Sequence, residues 1–453
     1  MSDREVIRIP AMRRSVLFTA TLLAVAATPV AADSPLTDKL TAAGDQYESQ
    51  VIEWRRWFHA NPELSNQEFE TAEKVSAELK AMGLKPERDY GGTGVVAMIE
   101  GGLPGPIVAL RADMDALPVK EEVDLPFASK AMGDYRGQSV PVMHACGHDT
   151  HMAMLLGAAR ALVDVRESLP GSVMLIFQPA EEGVAGGVVA GAERMLAEGL
   201  FEGRKPAAVF GLHTFSGVPA KMVAYRSGPA MASSDRFVIK VRGKQTHGSR
   251  PWGGIDPIVV ASQIIMGVQT IASRQVDVTK APSVVSFGIV NGGIRNNIIP
   301  DEVYLEGTIR NFDMGIREQI HAKVRKTAIA IADSAGATAD VTIDLGYPVT
   351  INDPALTERM LPTVARVVGE GNLIESPLIT GAEDFSYYAL QTPGMFLFLG
   401  GTPPDRDPFS APSNHSPLFY VDESTLKVGV NILTNLVADY LHQAQQTQSR
   451  VTR

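Results

Sequence analysis

The sequence predicts an α/β protein: a large domain built on a mostly parallel sheet covered by helices, with an inserted ferredoxin-like α+β domain. Three observations predict it. Up to about residue 226, short apolar runs rich in β-branched residues alternate with stretches of helical length, the pattern of a parallel sheet covered on both faces. From Ser227 the order becomes βαββαβ, a ferredoxin-like unit. After Tyr347 the first rhythm resumes. Residues 33–226 and 347–453 are therefore read as two parts of one domain and 227–346 as the insertion. A chain of 453 residues exceeds what one core usually supports, which agrees with two domains.

The elements follow in order. Residues 1–32 read as an export signal: Arg13-Arg14, an apolar run from Ser15 to Val30, then Ala31-Ala32 as a small-residue cleavage site. The run is shorter than the ~20 residues of a membrane span. Cleavage is expected after Ala32, by the general or the twin-arginine route, giving a periplasmic or secreted protein with no membrane attachment. A helix carrying Trp54, Trp57 and Phe58 comes next, then HANPELS (His59–Ser65) and a second helix over 68–82. GVVAMIE (Gly94–Glu100) and IVALRAD (Ile107–Asp113) are buried strands, short and apolar between Gly and Pro. A helix spans 151–165, a strand SVMLIFQPAEE (Ser172–Glu182), a helix 188–198 and a strand AAVFGLHT (Ala207–Thr214). The insertion reads as strand 235–244, helix 256–274, strands 283–293 and 302–312, helix 315–334 and strand 338–348. A helix over 356–368, the loop ITGAEDFS, the strand GMFLFLGG (Gly394–Gly401), the loop SNHSPLFYVDE and a last helix ending near Ala444 return to the large domain.

Composition excludes some functions. Hydrophobic residues are 45% and charged residues 20%, as in ordinary soluble proteins. A net charge of −10 with no basic face argues against nucleic-acid binding. The single cysteine, Cys146, forms no internal disulfide, so an exported chain keeps it either buried and inert or occupied.

Chemistry concentrates where large-domain strands end. IVALRAD runs into Asp113 and Asp115, SVMLIFQPAEE ends in Glu181 and Glu182, and AAVFGLHT ends near His213. Ligands of open α/β sheets bind beyond the carboxyl ends of strands. HACGHDTH (His144–His151) adds Cys146 and His148, and the C-terminal loop adds His415. Singly these are a turn aspartate, a solvated strand end, a structural histidine and a small buried thiol. Together, Cys, His and Glu form a donor set for transition metals. Asp115 is an acid suited to orient a histidine ligand.

Many motifs resemble the amidohydrolase branch of the aminoacylase and carboxypeptidase metallopeptidases, the branch of hippurate hydrolase, auxin-conjugate hydrolases and N-acetyl-diaminopimelate deacetylase. They are HANPELS, RADMDALP (Arg111–Pro118), HACGHDTHMA (His144–Ala153), FQPAEEG (Phe177–Gly183) and GLHT (Gly211–Thr214). GKQTHGSRPWGGIDP (Gly243–Pro257), NNIIP (Asn296–Pro300), GTIR (Gly307–Arg310), GAEDFS (Gly381–Ser386) and NHSP (Asn414–Pro417) complete the series. The resemblance implies two divalent metal ions per subunit (Zn, Mn, Co or Ni), held by Cys146, His148, Glu182, His213 and His415. It implies Glu181 as general base, with the insertion as lid and homodimerisation domain. It also implies that His247 stabilises the oxyanion in the partner subunit's site, and that Asn297 and Arg310 hold a substrate carboxylate.

The leading expectation is a metal-dependent amidohydrolase acting on N-acyl amino acids. A metallo-dipeptidase or carboxypeptidase on small peptides is the alternative in the same class. A non-catalytic metal- or ligand-binding homologue is the alternative from another class, and it predicts a broken base or ligand set; here Glu181 and the five candidate ligands are all present.

Overall fold

Strand residues of the large sheet alternate between two hydrophobic cores, one on each face. Val95, Ala97 and Ile99 face one core and Val96 the other. Val173, Leu175 and Phe177 likewise oppose Met174 and Ile176. This period of two, with both faces covered, is why these runs read as uniformly apolar. The structure is a computed structural model that describes residues 33–184 and 188–451. The expected signal and its cleavage site after Ala32 lie outside the described residues.

The large sheet contains β1 (Glu87–Tyr90), β2 (Gly94–Glu100), β3 (Leu103–Asp113), β4 (Pro170–Gln178), β5 (Ala208–Pro219) and β6 (Val223–Tyr225). After the four strands of the small sheet, β7 (Ser233–Arg242), β8 (Ser283–Gly292), β9 (Glu302–Asn311) and β10 (Thr338–Leu345), it receives β11 (Leu373–Glu375) and β12 (Gly394–Thr402). Its order is β1-β2-β4-β3-β5-β12-β6-β11. The centre, β4-β3-β5-β12, is parallel throughout, and β2 joins β4 antiparallel. Helices α1 (Thr37–Ala60), α2 (Phe69–Ala81) and α3 (His148–Val165) contribute to one core. The short α4 (Gly191–Ala197) contributes Ala192 and Met195 to the other.

The small sheet has the order β8-β9-β7-β10 and is antiparallel throughout. With α5 (Pro257–Thr270) and α6 (Met314–Ser334) the chain order is β7-α5-β8-β9-α6-β10. Its core is separate and built on Phe237, Ile239, Ile264, Leu305, Ile309, Ile320 and Val324. Both helices start on aspartates, Asp256 and Asp313, whose carboxylates accept amides of the first turn, the usual N-cap. Three helices, α7 (Pro354–Val368), α8 (Phe385–Gln391) and α9 (Leu426–Val451), complete the large part.

Some boundaries differ from those expected. Helix α3 begins at His148 rather than 151, because Gly147, at φ 93°, supplies a left-handed turn. A side chain at 147 would meet Thr214 Oγ1 at 2.3 Å. Strand β4 stops at Gln178, since Pro179 has no amide to continue the ladder, so Glu181 and Glu182 lie in a turn beyond it. β5 continues to Pro219, which places His213 inside a strand instead of at its end. α9 runs past Ala444 to Val451. Among the described residues, no helix is long and apolar enough to cross a membrane.

Candidate metal centre

Two histidines enter the site with one ring nitrogen already committed. His148, on the first turn of α3, has Nδ1 2.7 Å from the carbonyl oxygen of Asp115. His213 has Nδ1 2.7 Å from the carbonyl oxygen of Thr214. A carbonyl only accepts, so each Nδ1 carries a proton, and Nε2 keeps a lone pair in the neutral ring, the form that binds metal. Nε2 of His213 faces Cys146 Sγ at 3.4 Å. Nε2 of His148 lies 3.7 Å from Asp113 Oδ2 and 4.0 Å from Glu182 Oε1.

The remaining donors arrive from loops. His415 sits at φ 71°, a left-handed backbone that costs a non-glycine residue roughly 1–2 kcal/mol. Its amide donates to Ala145 O at 2.7 Å, and its Nε2 lies 3.1 Å from Glu182 Oε1. Asn414 beside it donates to the carbonyls of Cys146 and Thr214, fastening the loop to the site. Donor atoms of Cys146, Glu182 and His415 lie within 4.8 Å of one another, as do those of His148, Glu181 and Glu182. Asp113, His148, His151 and His213 form a third such group. Cys146, His148, Glu182, His213 and His415 are thus brought together, with Glu182 and His148 each shared between groups.

Asp115 contacts His148 Nδ1 through its backbone carbonyl at 2.7 Å, with its carboxylate Oδ1 3.3 Å from the same nitrogen. The carboxylate also accepts the amides of Glu181 (3.1 Å) and Glu182 (3.0 Å) and the hydroxyl of Ser65 (2.7 Å). His151 is a further positioning group. The Thr214 amide donates to its Nε2 at 2.7 Å, so its Nδ1–H donates to Asp113.

Arg111 joins a buried network the sequence reading left without a role. It donates to Gln178 Oε1, Asp113, Glu383 and Asp384 at 2.7–2.9 Å. RADMDALP and GAEDFS carried these residues into view as motifs, but their pairing spans 272 residues and has no local signal.

Negative charge predominates here. Burial pushes the Glu181 carboxyl well above its ordinary range, helped by Glu383, Glu182 and Asp384 and opposed by Arg111. Burial and the nearby Glu182, Glu181 and Asp113 push the Cys146 thiol up. Burial keeps the His213 ring neutral, its basic strength lowered further by His151. His148 is pushed up to about 10 against its burial, by Asp113 and Asp115. Among the described residues, His148 Nε2 is buried in the cluster with no hydrogen-bond partner, and Glu182 Oε1 meets the ring of His415 at 3.1 Å. An orphaned ring nitrogen, a thiol and excess acid together fit a divalent transition cation.

A cavity of about 360 Å³ opens on this cluster. Cys146, Glu181, Glu182, His213 and His415 line one end. Phe215, Met231, Ile379 and Phe398 are its apolar lining, and Ser234, Arg310, Tyr347, Glu383 and Asn414 are among its polar lining. Arg310 is half-buried and, among the described residues, has no hydrogen-bond or ion-pair partner. His247 and Asn297 do not line this cavity. They neighbour each other where the short strand Thr246–His247 pairs with Ile298–Ile299; His247 is exposed there and its Nδ1 accepts from Ser249, and the Gly248 amide donates to Asn297 O.

A two-part α/β fold whose large sheet carries a buried sulfur, imidazole and carboxylate cluster defines a metallohydrolase-like class. The chain belongs to peptidase family M20/M25/M40, whose family model matches residues 109–439. It is 41% identical over 396 residues to Thermostable carboxypeptidase 2 of Saccharolobus solfataricus, covering 87% of this chain and 96% of that protein. It is 40% identical over 379 residues to N-acetyl-L-cysteine deacetylase of Bacillus subtilis, covering 84% and 85%. Among solved structures it is similar to the Bacillus subtilis YXEP protein, described as a dinuclear metal binding peptidase of the M20 family. The TM-score is 0.73 at 34% identity, covering 88% of this chain and 99% of that one.

Proposed function

We propose that this chain is a metal-dependent amidohydrolase that cleaves the amide bond of N-acyl amino acids. The observation that carries the reading is the convergence of metal-type donors on a cavity that an unpaired arginine side chain also lines. Cys146, His148, Glu182, His213 and His415 would hold two divalent ions. Such ions, when bound, acidify water and polarise an amide carbonyl. Glu181, left free beside Glu182, takes the proton of the attacking water and returns it to the leaving nitrogen. Arg310 holds the substrate carboxylate, since its planar fork matches that geometry; Asn297, which lies beside His247 outside this cavity, would reach a substrate only in the partner's site.

The apolar side chains Phe215, Met231, Ile379 and Phe398 in the cavity lining give an uncharged acyl group surface to bury. The similarity to a protein named a carboxypeptidase keeps the small-peptide reading as the alternative.

A homodimer through the small domain is part of the proposal. Edge strand β8 exposes Ile289 and Val290, and α5, tied to it by Gln269 donating to Val285 O, exposes Val259 and Met266. Unpaired edges and apolar patches invite a partner; a monomeric mass in solution would remove this part. In such a dimer His247 serves the oxyanion of the partner's site. Export through residues 1–32 is proposed from their composition alone, and an N-terminus found at Met1 in exported protein would contradict it.

The test is a panel of N-acetyl amino acids, N-benzoyl amino acids and dipeptides given to wild type and Glu181→Gln. Hydrolysis of the acyl substrates should fall ~10²–10⁴-fold in the variant while metal content stays at the wild-type level. Activity retained by Glu181→Gln would remove it as the base; a strong preference for dipeptides would favour the alternative.

A further inference from the structure

We propose that Glu68 is a positioning residue of this site, acting through the backbone amide of Ala180 to set the direction in which Glu181 and Glu182 enter the cluster. The inference rests on the role given to those two glutamates above.

The turn after β4 has an unusual set of partners. Three consecutive amides, those of Ala180, Glu181 and Glu182, each donate to a carboxylate. Asp115 accepts the last two. The first goes to Glu68 Oε1 at 2.9 Å, reached from the N-terminal end of α2 across 112 residues of sequence. Ala180 is held at φ 53°, a left-handed conformation that glycine adopts freely and alanine does not. Alanine stays there because its surroundings over-determine it. Without an acceptor, the buried Ala180 amide would be orphaned and the turn would lose the contact that opposes its relaxation. Any rotation at 180 swings the next two side chains, which are the base and the shared ligand candidate.

Glu68 is the N-cap residue of α2, but its side chain makes no cap hydrogen bond there. It is wholly buried, and its other oxygen accepts the Thr93 hydroxyl. Among the described residues no cationic side chain pairs with it. Burying a carboxyl beside neutral donors is unfavourable, so packing alone would select an apolar residue. Its geometry serves the turn.

The experiment compares Glu68→Ala, Glu68→Gln and the double variant Glu68→Ala/Ala180→Gly. Both kcat on an N-acyl amino acid and Zn²⁺ affinity by calorimetric titration of the apo-protein are read. Glu68→Ala should lower kcat and Zn²⁺ affinity each by ~10–100-fold, the usual scale for a group that orients ligands, with KM nearly unchanged. Glu68→Gln should stay close to wild type, because the amide oxygen still accepts the Ala180 N–H. Ala180→Gly should recover most of the loss, since glycine needs no clamp to hold a positive φ.

A folded Glu68→Ala protein with wild-type kcat and Zn²⁺ affinity would overturn the proposal. So would a Gln variant as impaired as the Ala variant, or a Glu68→Ala protein that fails to fold and is not rescued by Ala180→Gly. Zn²⁺ binding reads the cluster without turnover. Wild-type protein that binds Zn²⁺ but hydrolyses nothing would therefore sink the amidohydrolase reading and still leave the role of Glu68 to be decided by affinity.

Discussion

The two sheets of this protein bury very different interiors. The small-domain core is aliphatic and aromatic, from Phe237 and Ile239 to Leu305 and Val324, and its buried charges among the described residues are the pair Asp235 and Arg317, with His321 on the same carboxylate. The large part buries Arg111, Asp113, Asp115, His148, His151, Glu181, Glu383 and Asp384 within one connected region. Buried ions add little net stability compared with apolar packing. A domain asked only to fold and to present a few surface groups resembles the first. The second accepts costly burial because a reacting site needs donors fixed in a water-poor place. Arg310 shows the division of labour: it projects from β9 of the small sheet yet lines the cavity of the large one.

Three measurements would break or sharpen this contrast. The largest effect is expected at Arg111. Arg111→Met leaves Asp113, Glu383 and Asp384 without their shared cation, and removing one partner of such a set costs ~3–5 kcal/mol. The urea midpoint should fall accordingly and hydrolysis should be lost; a wild-type midpoint would mean the network is not electrostatically closed by Arg111.

Leu305→Ala, in the small core, should cost ~2–5 kcal/mol by cavity formation while Zn²⁺ affinity stays unchanged. Reduced affinity would show that the two regions are energetically one.

The smallest effect concerns acid. Burial opposes ionisation of Asp235, but Arg317 and His321 hold its carboxyl below the ordinary value of 3.8. A depressed folded pKa gives stability that is present above 3.8 and lost as pH falls through the folded value. The melting-temperature advantage of wild type over Asp235→Asn should therefore be full at pH 7 and shrink in acid below the ordinary carboxylate range. An advantage independent of pH would remove Asp235 as its source.

The alternation of apolar strands and helices was legible because both faces of the large sheet are covered, so most residues of its central strands are apolar. The βαββαβ order was legible for a related reason: each small-sheet strand has a clear apolar face and definite turns. The ends of elements were less so. Pro179 marked the end of β4 in plain view, yet the apolar run and the acids beyond it suggested one continuous strand. His213 looked terminal because the polar residues after it resemble a loop, whereas β5 continues to Pro219.

What the sequence determined by itself was composition and rhythm: the fold class, and a set of Cys, His and Glu residues whose chemistry suits metal. Only the tertiary structure decided their arrangement. Which nitrogen of His148 is bare depends on the Asp115 carbonyl, brought from another segment. Asp115 faces two amides as well as a ring, and Glu68, Arg111 and Glu383 meet their partners across dozens to hundreds of residues. Local sequence records propensity and pattern, while hydrogen bonds between distant segments exist only once the chain has closed around them.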